Sequence, residues 1–164
     1  MIQKATLAQL PEILTLYDRA RSFMAQTGNP DQWGNAYPPE KMIREDIEKE
    51  KCYVNLEDGN IRAVFYFAVE EDPTYGYIEG AWLNDAPYGV IHRIAVGESG
   101  KGVAAECIRF AFDRCGNLRI DTHEKNIPMQ RCLAKNGFTR CGIIYLEDGD
   151  PRIAYQRSKL WSKN

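Results

Sequence analysis

The 164-residue chain has no run of apolar residues long enough to cross a bilayer. Its longest nearly apolar stretch, Ile61 to Val69, already contains Arg62. It has no excess of charge of either sign. With 21 basic and 23 acidic residues the formal net charge is −2, which excludes the basic field that nucleic acid requires and the polybasic anchor of an anionic membrane. It lacks cysteine pairs at metal-ligand spacing. Cys52, Cys107, Cys115, Cys132 and Cys141 form no C-x-x-C, and the two histidines, His92 and His123, are far apart, so no metal is expected. The opening M-I-Q-K-A-T-L-A-Q-L-P lacks the pattern of a secretory signal. An odd cysteine count in that setting fits reduced thiols. The expectation is a cytoplasmic protein without disulfides, and without nucleic-acid or membrane partners.

What is present is enough for one well-packed domain across residues 1–164. Hydrophobic residues make up 44% and aromatics 11% of the chain, so it can bury a core. Leu10, Ile13, Leu14, Tyr17, Ala20 and Met24 share a helical face and predict a helix over about 8–26, with Thr6 and Gln9 as a capping box. A short charged helix is expected over 39–49, after an aromatic loop holding Trp33 and Tyr37. The runs 52–56 and 61–69 flank Asp58-Gly59 and predict a hairpin. Residues 75–82 read as a further strand or a rim loop. A strand is expected over 88–96, a helix over 103–115 stopped by Gly116, a strand over 118–122 and a helix over 126–136 stopped by Gly137. A closing hairpin over 138–146 and 152–156 turns at Asp148-Gly149. The order β-α-α-β-β-β-α-β-α-β-β predicts an α/β fold, an α+β sandwich whose mixed, mostly antiparallel central sheet is flanked by helices.

The stretch from Val90 to Phe112, V-I-H-R-I-A-V-G-E-S-G-K-G-V-A-A-E-C-I-R-F-A-F, carries the chemistry. A strand runs through a glycine-rich turn into a helix, leaving unpaired N–H groups at the positive end of the helix dipole as a seat for phosphate oxygens. A nucleotide P-loop reading fails twice: Gly102 stands where the metal-binding hydroxyl belongs, and Ala95 where the first glycine belongs. A dinucleotide fingerprint would use Gly100, Gly102 and Ala105, but no clean βαβ unit surrounds them. The third reading is S-G-K-G-V-A, Ser99 to Ala104. It resembles the [Q/R]-x-x-G-x-[G/A] pyrophosphate loop of the GNAT N-acetyltransferase superfamily. The strand I-H-R-I-A-V before it and the segment L-R-I-D-T-H-E-K-N-I-P-M-Q-R-C-L-A-K-N-G-F, Leu118 to Phe138, are similar to that family's motifs as well.

The resemblance implies the GNAT fold and acetyl-CoA as cosubstrate. Pantetheine would lie along Ile94, Ala95 and Val96 as an added strand, with Ser99, Gly100, Lys101, Gly102, Val103 and Ala104 on the pyrophosphate and Asn126 fixing the pantetheine arm. Lys101 and Arg109 would be candidates for the 3′-phosphate. A backbone N–H near Ile94 would face the thioester oxygen. Two departures stand out: Ser99 occupies the usual Gln or Arg position, and Leu133 occupies the position where many members carry a tyrosine that protonates the leaving thiolate.

An attacking amine must be neutral, so a base is useful. Val90 and His92 match the family's positions for one, and only His92 has the chemistry. Strand alternation puts His92 on the same side as Ile94 and Val96. Glu79 is the second catalytic candidate. Asp121 is read as structural, Tyr145 and Tyr155 as packed residues that stand in reserve as acids, and Cys132 as a packed thiol rather than an acid. Trp33, Tyr37 and Trp82 are candidate walls of an acceptor cleft. The reading is an N-acetyltransferase acting on a primary amine, of a small molecule or a peptide, by direct attack in a ternary complex. The alternative is a non-catalytic acyl-CoA-binding module of the same fold. The edges of the closing hairpin leave a homodimer open.

Overall fold

The structure is a computed structural model that describes residues 1–98 and 101–160. Eight strands form one sheet: β1 (Ile2–Lys4), β2 (Cys52–Glu57), β3 (Asn60–Val69), β4 (Glu79–Gly80), β5 (Gly89–Val96), β6 (Asn117–Thr122), β7 (Thr139–Tyr145) and β8 (Pro151–Ser158). Their order across the sheet is β1-β2-β3-β5-β6-β8-β7-β4. Every pairing is antiparallel except β5 with β6. The helices are α1 (Leu10–Gln26), α2 (Glu40–Glu48), α3 (Val103–Cys115) and α4 (Ile127–Lys135). None of the described helices is long and apolar enough to cross a membrane.

The apolar periodicities set the layers. On one face α3 contributes Val103, Cys107, Ile108, Ala111 and Phe112, and α4 contributes Leu133, to a core with Phe65, Ile91, Leu118 and Ile153. On the other face Leu10, Ile13, Leu16 and Tyr17 of α1 and Ile43 and Ile47 of α2 close over Val54, Val64 and Ala95. Beside them Tyr75, in a 3-10 turn over Pro73–Tyr75, buries itself on Tyr66, Val90 and Ala154. The first helix is preceded by a 3-10 turn, where the Thr6 amide donates to Gln9 Oε1 at 2.9 Å as the capping pattern predicts.

Two features of β5 position the site. It pairs with β6 only at Gly89–Leu118 and Val90–Arg119, after which the two strands part. Its ladder with β3 slips between Val64 and Tyr66, whose partners Ala95 and His92 are one residue too far apart. The extra residue is a bulge at Arg93, which has φ of 51°. The bulge overturns the expected alternation. Ile91, Ile94 and Val96 face the α3 and α4 layer, whereas His92 packs on Tyr66 and Tyr75 and the Arg93 guanidinium lies over the Tyr66 ring on the opposite face.

The closing hairpin does not form an edge of the sheet as expected. Strand β8 is interior, and two-residue β4 pairs beyond β7, leaving β1 and β4 at the margins. The β4–β7 crossing depends on paired glycines. A Cβ on Gly80 would overlap the Cys141 carbonyl, and one on Gly142 the Glu79 carbonyl. Gly142→Ala is expected to lower unfolding free energy by about 1–3 kcal/mol in urea titrations. Gly59→Ala, in the Asp58-Gly59 turn with open space at the Cβ position, is expected to cost only the strain of its positive φ, about 1 kcal/mol.

Candidate active site

The parting of β5 and β6 opens the sheet from both sides. Toward α3 and α4 lies a cavity of 460 Å³, bordered on β5 by Ile94, Ala95 and Val96 and at the start of α3 by Gly102, Val103 and Ala104. Gly102 caps α3 in the left-handed conformation, φ 73°, so the first helical amides open onto this space. Helix α4 supplies Met129, Cys132, Arg131 and Lys135 to the same wall. Burial pushes the Cys132 thiol above its ordinary pKa, so it is a protonated wall residue rather than a nucleophile.

On the other side lies a cavity of 780 Å³, with Trp33 and Tyr37 from the loop after α1, Asp72 and Thr74 from the 3-10 turn, His92 and Arg93 from β5, and Asp121 and Thr122 from β6. The two cavities share Met24, Ile94, Asn126 and Met129. They therefore meet where the strands separate.

The bulge that turns His92 and Arg93 to the same side is held from three directions. The Tyr17 hydroxyl donates to the Arg93 carbonyl at 2.6 Å. Burial raises the Tyr17 pKa well above its usual value, so the phenol remains a donor. The Arg93 guanidinium forms a two-point ion pair with Asp46 of α2, Nε to Oδ2 and Nη2 to Oδ1 both at 2.9 Å, and donates to the Tyr37 hydroxyl at 3.3 Å. Burial pushes the Asp46 carboxyl up against the pull of that arginine, so the pair acts as a strut rather than as a large source of stability.

His92 Nε2 lies 2.7 Å from Asp72 Oδ2. Asp72 Oδ1 accepts from the Thr74 amide at 2.8 Å and the Thr74 hydroxyl at 2.7 Å. Burial acts to raise the Asp72 carboxyl, but the His92 and Thr74 hydrogen bonds outweigh it and hold its pKa at about 2. An ionised carboxylate only accepts, so the His92 proton sits on Nε2 and the lone pair of the neutral ring is on Nδ1. Beside this pair Asp121 accepts from the Tyr75 hydroxyl at 2.7 Å.

The candidate residues divide accordingly. Trp33, Tyr37 and His92 border the larger cavity, while Ala95, Val96, Gly102, Val103 and Ala104 border the smaller, and Ile94 and Asn126 border both. Asn126 has a local task as well. Its Oδ1 caps α4 by accepting from the Met129 amide at 3.1 Å, and its Nδ2 donates to Gln32 Oε1 at 2.9 Å. Ser99 and Gly100 lie outside the described residues. Lys101 and Arg109 border neither cavity. Glu79, exposed on β4, lies beside Tyr145 at the sheet margin, where its carboxylate raises the Tyr145 pKa, and is outside both. Trp82 stacks on the Arg119 guanidinium at 4.1 Å and donates to the Tyr75 carbonyl, forming a support behind Tyr75 rather than a cavity wall. Leu133 and Tyr155 are buried in the α3 and α4 core.

Sequence reasoning missed Asp72, which reads as a strand breaker before Pro73. It also missed Arg131 and Lys135, although a spacing of four on a helix that follows Asn126 puts them on one face.

A family model described as Acetyltransferase (GNAT) family matches residues 13–138. The chain belongs to the GNAT acetyltransferase family. An acetyltransferase of the GNAT family from Streptococcus agalactiae is 33% identical over 97% of this chain and 95% of its own, with a TM-score of 0.89. An acetyltransferase from Staphylococcus aureus shares 24% identity over 96% and 98% of the two chains, with a TM-score of 0.71. The fold extends to the aminoglycoside acetyltransferase AAC(6')-Ib in complex with ribostamycin and coenzyme A, at 18% identity over 98% and 93% of the two chains and a TM-score of 0.67. No curated protein matches the chain. The mixed sheet, with its one parallel pair opening beyond Val90 and Arg119, is thus the GNAT fold.

Because the folded Asp72 pKa is depressed, its contribution is complete above the ordinary carboxylate range and is lost as pH falls toward about 2. Asp72→Asn is expected to cost about 2 kcal/mol of stability at pH 6. That difference should shrink to near zero at about pH 2, measured by denaturant unfolding of both proteins across the range.

Proposed function

We propose that this GNAT protein transfers the acetyl group of acetyl-CoA to a primary amine by direct attack in a ternary complex. The observation that carries the reading is the meeting of the two cavities at Ile94, Asn126, Met24 and Met129. A thioester threaded from the α3 and α4 side would present its carbonyl there to an amine held on the Trp33 and Tyr37 side. The α3 N-terminus from Gly102 to Ala104 would receive the pyrophosphate, with Ser99, Gly100 and Lys101 completing the loop. Arg131 and Lys135 would offer cations to the phosphates.

In this reaction the acceptor ammonium gives one proton to His92 Nδ1, whose ring Asp72 orients and whose charge Asp72 then balances. The amine nitrogen bonds to the acetyl carbon, and a backbone N–H near Ile94 stabilises the oxyanion. The carbon–sulfur bond breaks, and the second proton leaving the nitrogen passes through water to the departing thiolate. A thiol ionises near pKa ~8.5, so this leaving group has no strict need of an acid at Leu133. The acceptor is a small amine, in keeping with a cavity of 780 Å³. The five cysteines are all free, which supports a reducing, cytoplasmic setting.

Calorimetry is expected to show binding of coenzyme A that weakens at least about tenfold when Arg131 and Lys135 are both replaced by Glu. His92→Ala should lower kcat/KM by about 10²-fold and leave coenzyme affinity unchanged. Absence of heat with both coenzyme A and acetyl-CoA would overturn the reading. Tight coenzyme binding with no thiol release across a broad amine panel would favour the non-catalytic acyl-CoA-binding module, to which the core position of Leu133 points.

A further inference from the structure

The larger cavity holds a buried cation whose charge no carboxylate among the described residues balances. Arg152 on β8 is 5% exposed and borders this cavity. Its guanidinium donates to two backbone carbonyls only, Nη1 to Pro151 at 2.9 Å and Nη2 to Gln32 at 3.3 Å. Among the described residues no carboxylate lies within ion-pair distance of it, and no aromatic ring lies under it. Two other arginines deep in the fold are compensated in ways that Arg152 is not. Arg93 has Asp46, and Arg119 lies over the rings of Trp82 and Tyr88 at 4.1 and 4.0 Å. Two neutral carbonyls satisfy hydrogen bonds but do not offset a charge removed from water.

The acidic residues nearest in sequence do not fill that role. Glu147, Asp148 and Asp150 border the same cavity but are exposed around the turn between β7 and β8, where solvent screens them. Asp31 is engaged by Lys125 at 2.9 Å, and Asp72 by His92. Arg152 shares a sheet face with Asp121, because Asp121 pairs with Ala154 two residues along β8. The cavity wall therefore carries the buried Arg152 cation on β8, with the exposed carboxylates of Glu147, Asp148 and Asp150 at its rim, and Asp121 and the Asp72–His92 pair beside the strand parting.

We propose that the acceptor is an amino acid, bound with its carboxylate on Arg152 and its amino group toward His92. The inference rests on the acetyl-transfer reading and adds the substrate class. A planar guanidinium with two N–H groups already directed by carbonyls is preorganised for a carboxylate. An acceptor lacking the anion leaves the cation buried and unpaired, which is the situation in which recognition discriminates most strongly.

Thiol release from acetyl-CoA is to be measured with α-, β- and ω-amino acids, with the carboxamide of each, and with spermidine and kanamycin. At least one amino acid is expected to have kcat/KM about 50-fold or more above its carboxamide. Arg152→Gln should remove that preference by raising KM for the acid far more than for the carboxamide, with kcat for the acid little changed. Arg152→Lys should restore part of the preference. Coenzyme A affinity by calorimetry should be the same in all three proteins. Equal use of acid and carboxamide, acceptance of spermidine or kanamycin but no amino acid, or a preference that survives Arg152→Gln would each overturn the assignment while acetyl transfer stands. Should Arg152→Gln fail to fold, the acid-to-carboxamide ratio of the unaltered protein decides alone. Absence of both coenzyme binding and transfer would instead remove the acetyl-transfer reading, and this inference with it.

Discussion

The sheet of this protein is continuous except where it matters for chemistry. Strands β5 and β6 are joined by two residue pairs, Gly89–Leu118 and Val90–Arg119, and then diverge. Backbone groups beyond that point would be expensive to leave in a dry interior, and the divergence opens them onto two connected cavities instead. Each strand remains firmly held on its outer side, β5 by β3 and β6 by β8. The opening is thus a gap between two rigid half-sheets, and the helices close over it without filling it.

Around that gap the polar groups form a chain of supports reaching outward from β5. Arg93 is clasped by Asp46 on α2, by Tyr37 on the loop and by Tyr17 on α1. His92 is clasped by Asp72, which Thr74 holds in turn. Such layering fixes side chains to within small tolerances, which positioning of reactive groups requires. Each support comes from a different element, so no single helix or loop determines the geometry.

Most of the architecture was legible in the sequence because the signals were local. Asp58-Gly59, Gly116, Gly137 and Asp148-Gly149 punctuate the chain, and α3 has the bounds that its apolar face and Gly116 predict. What was hidden depends on pairing between distant segments. The bulge at Arg93 has no glycine to announce it, since it is stabilised by Tyr17 and Asp46, distant in sequence. Asp72 looks like punctuation before a proline until the 3-10 turn carries it back to β5. Arg152 reads as an ordinary strand residue until its lack of a counter-charge is seen. Glu79 and Trp82 were attractive because they sit among aromatics, but those aromatics pack on the sheet margin and behind Tyr75.

The extra residue in β5 sets the phase of the strand's last turn of the pleat. Were Arg93 paired as a regular strand residue instead of bulged, Ala95 would exchange faces with Ile94 and Val96. Two bulky β-branched side chains would then press into the space under α1 that now accommodates one methyl group, and overpacking of that size is destabilising. The apolar wall now facing α4 would shrink to that same methyl. Flattening of the bulge, with the register slipped by one residue beyond it, would therefore harm the molecule twice, by crowding one layer and hollowing the other, though no hydrophobic residue had been lost.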